Sequence, residues 1–136
     1  MNLFLHIWII SVFIFIGFFH VYWAFGGRAG IQNAIPSNKN GMLFQPDLPV
    51  TLFIAVIFFT GSVAVLLHYL EIEFFFLQKY LFHFIIFVFT ARAIGEFKYV
   101  GFFKKVKYSS FSKYDTFLYL PLCISIATSA KGILLF

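Results

Sequence analysis

The sequence predicts an all-α fold: an integral membrane four-helix bundle with both termini on the outer side. Three observations predict it. Four long apolar runs, Leu3–Phe25, Asp47–Leu70, Phe74–Gly95 and Asp115–Phe136, fill most of the 136 residues. The composition is 62% hydrophobic, 24% aromatic and only 11% charged, which lies outside the range of soluble domains. Eight of the ten Lys and Arg residues fall in or at the border of two of the three connectors, and clustered positive loop charge marks the cytoplasmic side of a membrane.

A hydrocarbon core of about 30 Å needs about 20 apolar residues at about 1.5 Å of rise each, and every run supplies that length. Four spans and three connectors account for the chain, so residues 1–136 read as a single membrane domain with spans near 3–25, 47–70, 74–95 and 115–136. No separate soluble domain is expected within these residues. The 23 Phe residues suit lipid-facing positions, which accept any large apolar side chain, and they carry no chemistry of their own.

The first run opens on Met1-Asn2-Leu3 without Lys or Arg and is longer than a signal-peptide core. No small-x-small pattern follows, so it is expected to be a retained helix. Gly26-Gly27 stops it. The first connector carries Arg28 and Lys39, and Asp47, between Pro46 and Pro49, is placed to cap the second span. Gly61, Ser62 and Ala64 give that span a small-residue patch for close packing. Glu71 and Glu73 mark the short outer turn before the third run, which carries Lys79 near its start and ends at Arg92 and Gly95.

The third connector holds Lys98, Lys104, Lys105, Lys107 and Lys113. Phe97, Val100, Phe103 and Val106 recur at i+3 within it, which fits either a segment lying in the inner interface with its lysines facing anionic headgroups or a basic loop that only fixes topology. Asp115 is expected to cap the last span. Pro121 removes one backbone bond inside that span and frees the carbonyl of Phe117, which predicts a kink. Ser125, Ala127, Ser129 and Ala130 form a second small-residue surface. The two halves echo one another weakly, with Arg28-Ala29-Gly30 against Arg92-Ala93-Ile94-Gly95 and Asp47 against Asp115, as a duplicated helical hairpin would.

Ionisable groups are costly within a bilayer, and here they fall in two layers. The inner layer holds His20, Tyr22, Trp23, Asp47, Arg92, Glu96, Asp115 and Tyr119; the outer holds His6, His68, Glu71, Glu73, Lys79, His83 and Lys131. All four spans contribute to the inner layer, so it is the candidate ligand site. A guanidinium such as Arg92 can hold a carboxylate, a phosphate or a lipid headgroup, or pair with Glu96 or Asp115. His20 can shuttle a proton or bond a ligand. Each residue also has a structural role open to it: Tyr22 and Trp23 as interfacial aromatics, the aspartates as caps, His20 as a helix-to-helix bond.

No metal or haem cofactor is expected. His6 and His20 lie roughly 21 Å apart along one helix, the histidines lack ligand spacing, and the lone Cys123 reads as a buried, inert thiol.

Four segments carry a resemblance: His20-Val-Tyr-Trp-Ala-Phe-Gly-Gly27, Pro46-Asp-Leu-Pro49, Arg92-Ala-Ile-Gly-Glu-Phe-Lys-Tyr-Val-Gly-Phe-Phe-Lys-Lys105 and Tyr114-Asp-Thr-Phe-Leu-Tyr-Leu-Pro-Leu122. They resemble the signature segments of a family of small four-span bacterial membrane proteins classed as a domain of unknown function. The resemblance implies four helices in a bacterial cytoplasmic membrane and supplies no activity.

The expected function is thus a polar, charged ligand or active site at the cytoplasmic ends of the helices, for a lipid-like or anionic small molecule. Arg92 would serve as anchor, with His20 or Glu96 as proton handler. A small oligomeric transporter or channel and an accessory subunit of a larger membrane complex are the alternatives. The partners expected are membrane lipids, the amphipathic or anionic ligand and further copies of the chain, with no nucleic acid.

Overall fold

The computed structural model describes residues 2–72 and 80–135. Glu73, Lys79 and the start of the third apolar run lie outside the described residues. Among the described residues, three helices are long and apolar enough to cross a membrane: α1 (Leu3–Ala24), α3 (Leu48–Tyr69) and a continuous helix over Ser110–Leu135. A shorter apolar helix, α4, covers Leu81–Ile94. This is the make-up of a multi-pass membrane protein. The first connector adds α2 (Ile31–Ala34) and a two-stranded antiparallel ribbon, β1 (Ser37–Asn38) with β2 (Gly41–Met42).

The long helices are apolar around their whole circumference. Large side chains face outward along them, with Phe4 73% and Phe117 82% exposed, an arrangement that hydrocarbon solvates and water does not. Their inner stripes meet in one core of Ile9, Val12 and Phe13 from α1, Val65 from α3, Phe82 and Ile85 from α4, and Ile126, Ala130 and Ile133 from the last helix. Each half of the chain folds as a hairpin: α1 packs along α3, α4 packs along the last helix, and α1 joins the halves.

In the first hairpin the rings fit into glycines. A Cβ on Gly17 would stand 2.9 Å from the Phe59 ring, and one on Gly61 would stand 3.0 Å from Phe13. Small residues therefore let α1 and α3 approach closely, as lipid-solvated helices require. Ser62, Ala127, Ser129 and Ala130 are buried in the same way.

The helix ends follow the sequence at some points and depart from it at others. Gly26, at φ +90°, closes α1: the N–H of Gly27 donates to Tyr22 O at 2.9 Å and that of Gly26 to Trp23 O at 3.1 Å, which is a Schellman cap. Asp47 holds the N-cap position of α3, although its carboxylate makes no capping bond. The last helix starts earlier than the charge pattern implies. Ser109 is its N-cap, accepting from Ser112 N at 3.1 Å, so Asp115 is not a cap but a fully buried residue one turn inside.

That helix runs as α5 (Ser110–Tyr114), a π-helical turn over Asp115–Tyr119, and α6 (Leu120–Leu135). The irregular turn lies immediately before Pro121, where the missing N–H leaves the carbonyl of Phe117 without its helical donor.

The third connector is irregular: residues 95–109 fold into a compact loop against the start of the last helix. Its N–H groups bond back across it, with Phe102 N donating to Ala93 O at 2.9 Å and Val106 N to Lys98 O at 2.9 Å. Phe97 and Phe103 are exposed, but Lys104 points inward and is 5% exposed. The two long connectors meet: α2 packs on α5, and Ser110 Oγ donates to Asn33 Oδ1 at 2.5 Å.

Candidate functional site

At the connector end the polar side chains form two separate groups. The first centres on Asp115, which is fully buried. Its Oδ1 accepts from Arg92 Nη2 at 2.9 Å, and its Oδ2 accepts from both Lys104 Nζ and Gly101 N, each at 2.9 Å. Lys104 also donates to Thr116 Oγ1 at 2.6 Å and Gly101 O at 3.3 Å, so all three of its protons are used. The lysine side chain is 4% exposed, whereas that of Arg92 is 33% exposed. One nitrogen of Arg92, Nη1, is buried without a protein partner.

This group is built to hold the third connector on the helices. A buried ammonium and a buried carboxylate require one another, because either alone would face the full cost of desolvation. Two glycines allow the close approach. A Cβ on Gly95 would lie 1.9 Å from Val100 O and one on Gly101 would lie 2.3 Å from Ile94 O, so the backbone crosses itself with no room for side chains.

The second group lies between α1 and α3 under the first connector. An open cleft of about 370 Å³ is lined by His20, Trp23, Ile31, Ala34, Ile35, Phe44, Gln45, Pro46, Asp47, Val50, Thr51 and Ile54. Its walls are largely apolar, and its size falls at the small end of ligand sites, about 300–1,000 Å³.

His20 Nδ1 lies 2.9 Å from Ile16 O. A carbonyl oxygen only accepts, so Nδ1 carries the hydrogen, and in the neutral ring Nε2 is left as an acceptor. The indole of Trp23 packs edge-on against His20 at 5.3 Å between centroids and holds it from one side, and Phe58 holds it from the other at 5.8 Å. Trp23 Nε1 donates to Ala29 O at 2.8 Å, folding the connector back over the end of α1. Tyr22 assists from outside, its hydroxyl accepting from Ala29 N at 3.4 Å while its ring covers Gly27.

The eight inner-layer residues thus divide. Arg92 and Asp115 are joined, and Lys104 joins them; His20, Trp23 and Asp47 line the cleft; Tyr22 shapes the loop. Glu96 does not pair with Arg92. The turn at Gly95 carries it away, and its Oε1 accepts from Tyr99 N at 3.2 Å. Tyr119 lies one turn beyond Asp115 with its ring 6.2 Å from that of Phe111. Sequence reasoning missed the buried role of Lys104, which looks like its solvated neighbours Lys105 and Lys107. It also missed Thr51 of the cleft, an ordinary helix residue whose Oγ1 donates to Asp47 O at 2.7 Å.

At the opposite end His6 and His68 touch. His6 is 1% exposed, and its Nδ1 donates to Asn2 O at 2.9 Å. His6 Nε2 is then the acceptor of the 3.3 Å bond to His68 Nδ1. Phe82 of α4 packs on both rings. His83 is exposed and stands outside the pair. Among the described residues, no group of three or more His, Cys, Asp or Glu is arranged to hold a metal ion.

Compared with known proteins, residues 13–130 match a family described as "Protein of unknown function (DUF3995)". No curated protein and no solved structure gives a significant match.

Proposed function

The chain belongs to the DUF3995 family, and from that premise we propose that it is a four-span protein of the bacterial cytoplasmic membrane that binds a small amphipathic molecule. The binding site is the cleft at the cytoplasmic ends of α1 and α3. The observation that carries this reading is the cleft itself: largely apolar walls with His20, Gln45, Asp47 and Thr51 as the polar side chains among them. Apolar lining with a few fixed polar groups is the usual form of a small-molecule site. The Asp115 group is not part of the site; it fixes the third connector, which in turn braces α2 through Ser110 and Asn33.

Photoactivatable dodecyl probes with different head groups test the reading on the protein in phosphatidylcholine nanodiscs. At least one probe should label Val50 and Ile54 well above Phe87, which is 72% exposed on the outer surface of α4. Ile54→Trp, which fills the cleft, should bring labelling down to the Phe87 level. Equal labelling of cleft and outer surface by every probe removes the reading.

In this proposal both long connectors face the cytoplasm and both termini face outside, on the strength of the charge asymmetry. In a Cys123→Ser background, Cys at Asn40 or Lys107, both exposed, should resist an impermeant maleimide in intact cells and react after lysis. Labelling in intact cells reverses the orientation.

A further inference from the structure

The chemistry lining the cleft selects the head group of its ligand. Within the cleft the side chains able to accept are His20 Nε2, the Asp47 carboxylate, the amide oxygen of Gln45 and the hydroxyl oxygen of Thr51, whose proton is already given to Asp47 O; the Gln45 amide can also donate, but it carries no charge. Among the described residues, neither Lys nor Arg lines it, and the guanidinium of Arg92 is committed to Asp115 elsewhere.

The start of α3 would by itself favour an anion, through a partial charge of about +0.5 at the helix N-terminus. Asp47 sits at that same position with a full negative charge and no capping bond. The carboxylate therefore outweighs the partial charge of the helix end.

We propose that the cleft takes an amphiphile whose head donates hydrogen bonds, a primary amine or a hydroxyl on an apolar chain, and rejects carboxylate and phosphate heads. An ammonium would set its charge against Asp47 and one N–H against His20 Nε2; a hydroxyl would donate to His20. The chain would lie along Val50, Ile54 and Ile31. An anionic head would meet the like charge of Asp47 with no cation to offset it, the Gln45 amide being its neutral donor. This narrows the anionic alternative expected from the sequence, and it rests on the cleft being a ligand site.

The test compares dodecyl diazirine probes ending in an amine, an alcohol, a carboxylate or a phosphate, on wild type in phosphatidylcholine nanodiscs. Label on Val50 and Ile54 is read by mass spectrometry relative to Phe87. The amine should exceed the carboxylate on the order of tenfold, as attraction and repulsion each contribute, with the alcohol between them.

Asp47→Asn, at a residue whose carboxylate makes no capping bond, should erase the advantage of the amine over the alcohol. His20→Phe should weaken both. Carboxylate or phosphate labelling equal to or above that of the amine overturns the head-group assignment while leaving the cleft as a ligand site. An amine advantage that survives Asp47→Asn also overturns it. Failure of every probe to label the cleft overturns the underlying proposal instead.

Discussion

Asp115→Ala is expected to lower stability by about 3–5 kcal/mol, the usual result of removing one partner of a buried ion pair. The substitution strands an ammonium that is 4% exposed, leaves Gly101 N without its acceptor, and frees Arg92. Lys104→Ala should come close behind, because it leaves the fully buried Asp115 with one cation fewer. Arg92→Ala should cost clearly less, since a third of that side chain is exposed and solvent screens its interaction. Lys105→Ala, at an exposed neighbour in the same basic run, should be within about 0.5 kcal/mol of wild type. Thermal unfolding in dodecyl maltoside, followed by tryptophan fluorescence, reads all four. The double variant Asp115→Leu with Lys104→Met should recover much of the loss, because a buried pair exchanged for apolar groups of similar volume is often near neutral. A melting temperature for Asp115→Ala equal to that of Lys105→Ala would show that the ion pair does not form.

The fold was legible in the sequence where a local rule decides it. Apolar runs give the helices, Gly26-Gly27 gives the end of α1, and Asp47 with Pro49 gives the start of α3. The irregularity beside Pro121 follows from a missing N–H and needs no tertiary contact.

Tertiary partners decided the rest. Lys104 is indistinguishable in sequence from Lys105, since its burial depends on a carboxylate 11 residues further on. Asp115 reads as a cap because Asp favours helix starts, and only the backbone shows that Ser109 occupies that position. In the third connector the close approach of Gly95 and Gly101, which no local spacing announces, folds the chain back on itself. For the candidate site, depth along each helix was readable, but which helices are neighbours was not. His20 and Asp47 line one cleft because α1 pairs with α3, and Arg92 meets Asp115 because α4 pairs with the last helix. One layer by depth therefore becomes two groups in space.

The same loop supplies the second large effect, one that depends on space alone. Gly26 and Gly101 both sit at φ +90°, so an alanine at either bears the left-handed cost of about 1–2 kcal/mol. Their surroundings differ. A Cβ on Gly26 meets nothing within 4 Å, whereas one on Gly101 stands 2.3 Å from Ile94 O and 2.6 Å from the Cα of Gly95. Those are backbone atoms of a helix end and cannot swing aside as a side chain would. Making room moves Gly101 off Asp115, which costs the 2.9 Å bond from its N–H and displaces the carbonyl that Lys104 contacts. Gly26→Ala should therefore lose about 1–2 kcal/mol, and Gly101→Ala about 3 kcal/mol or more once overpacking is added. The losses in Gly101→Ala and Asp115→Ala should also fall short of additivity when combined, because each removes part of what the other depends on. Equal melting temperatures for the two alanine variants would mean that the chain does not cross itself at Gly95 and Gly101, and the buried lysine would then lose the loop that holds it in place.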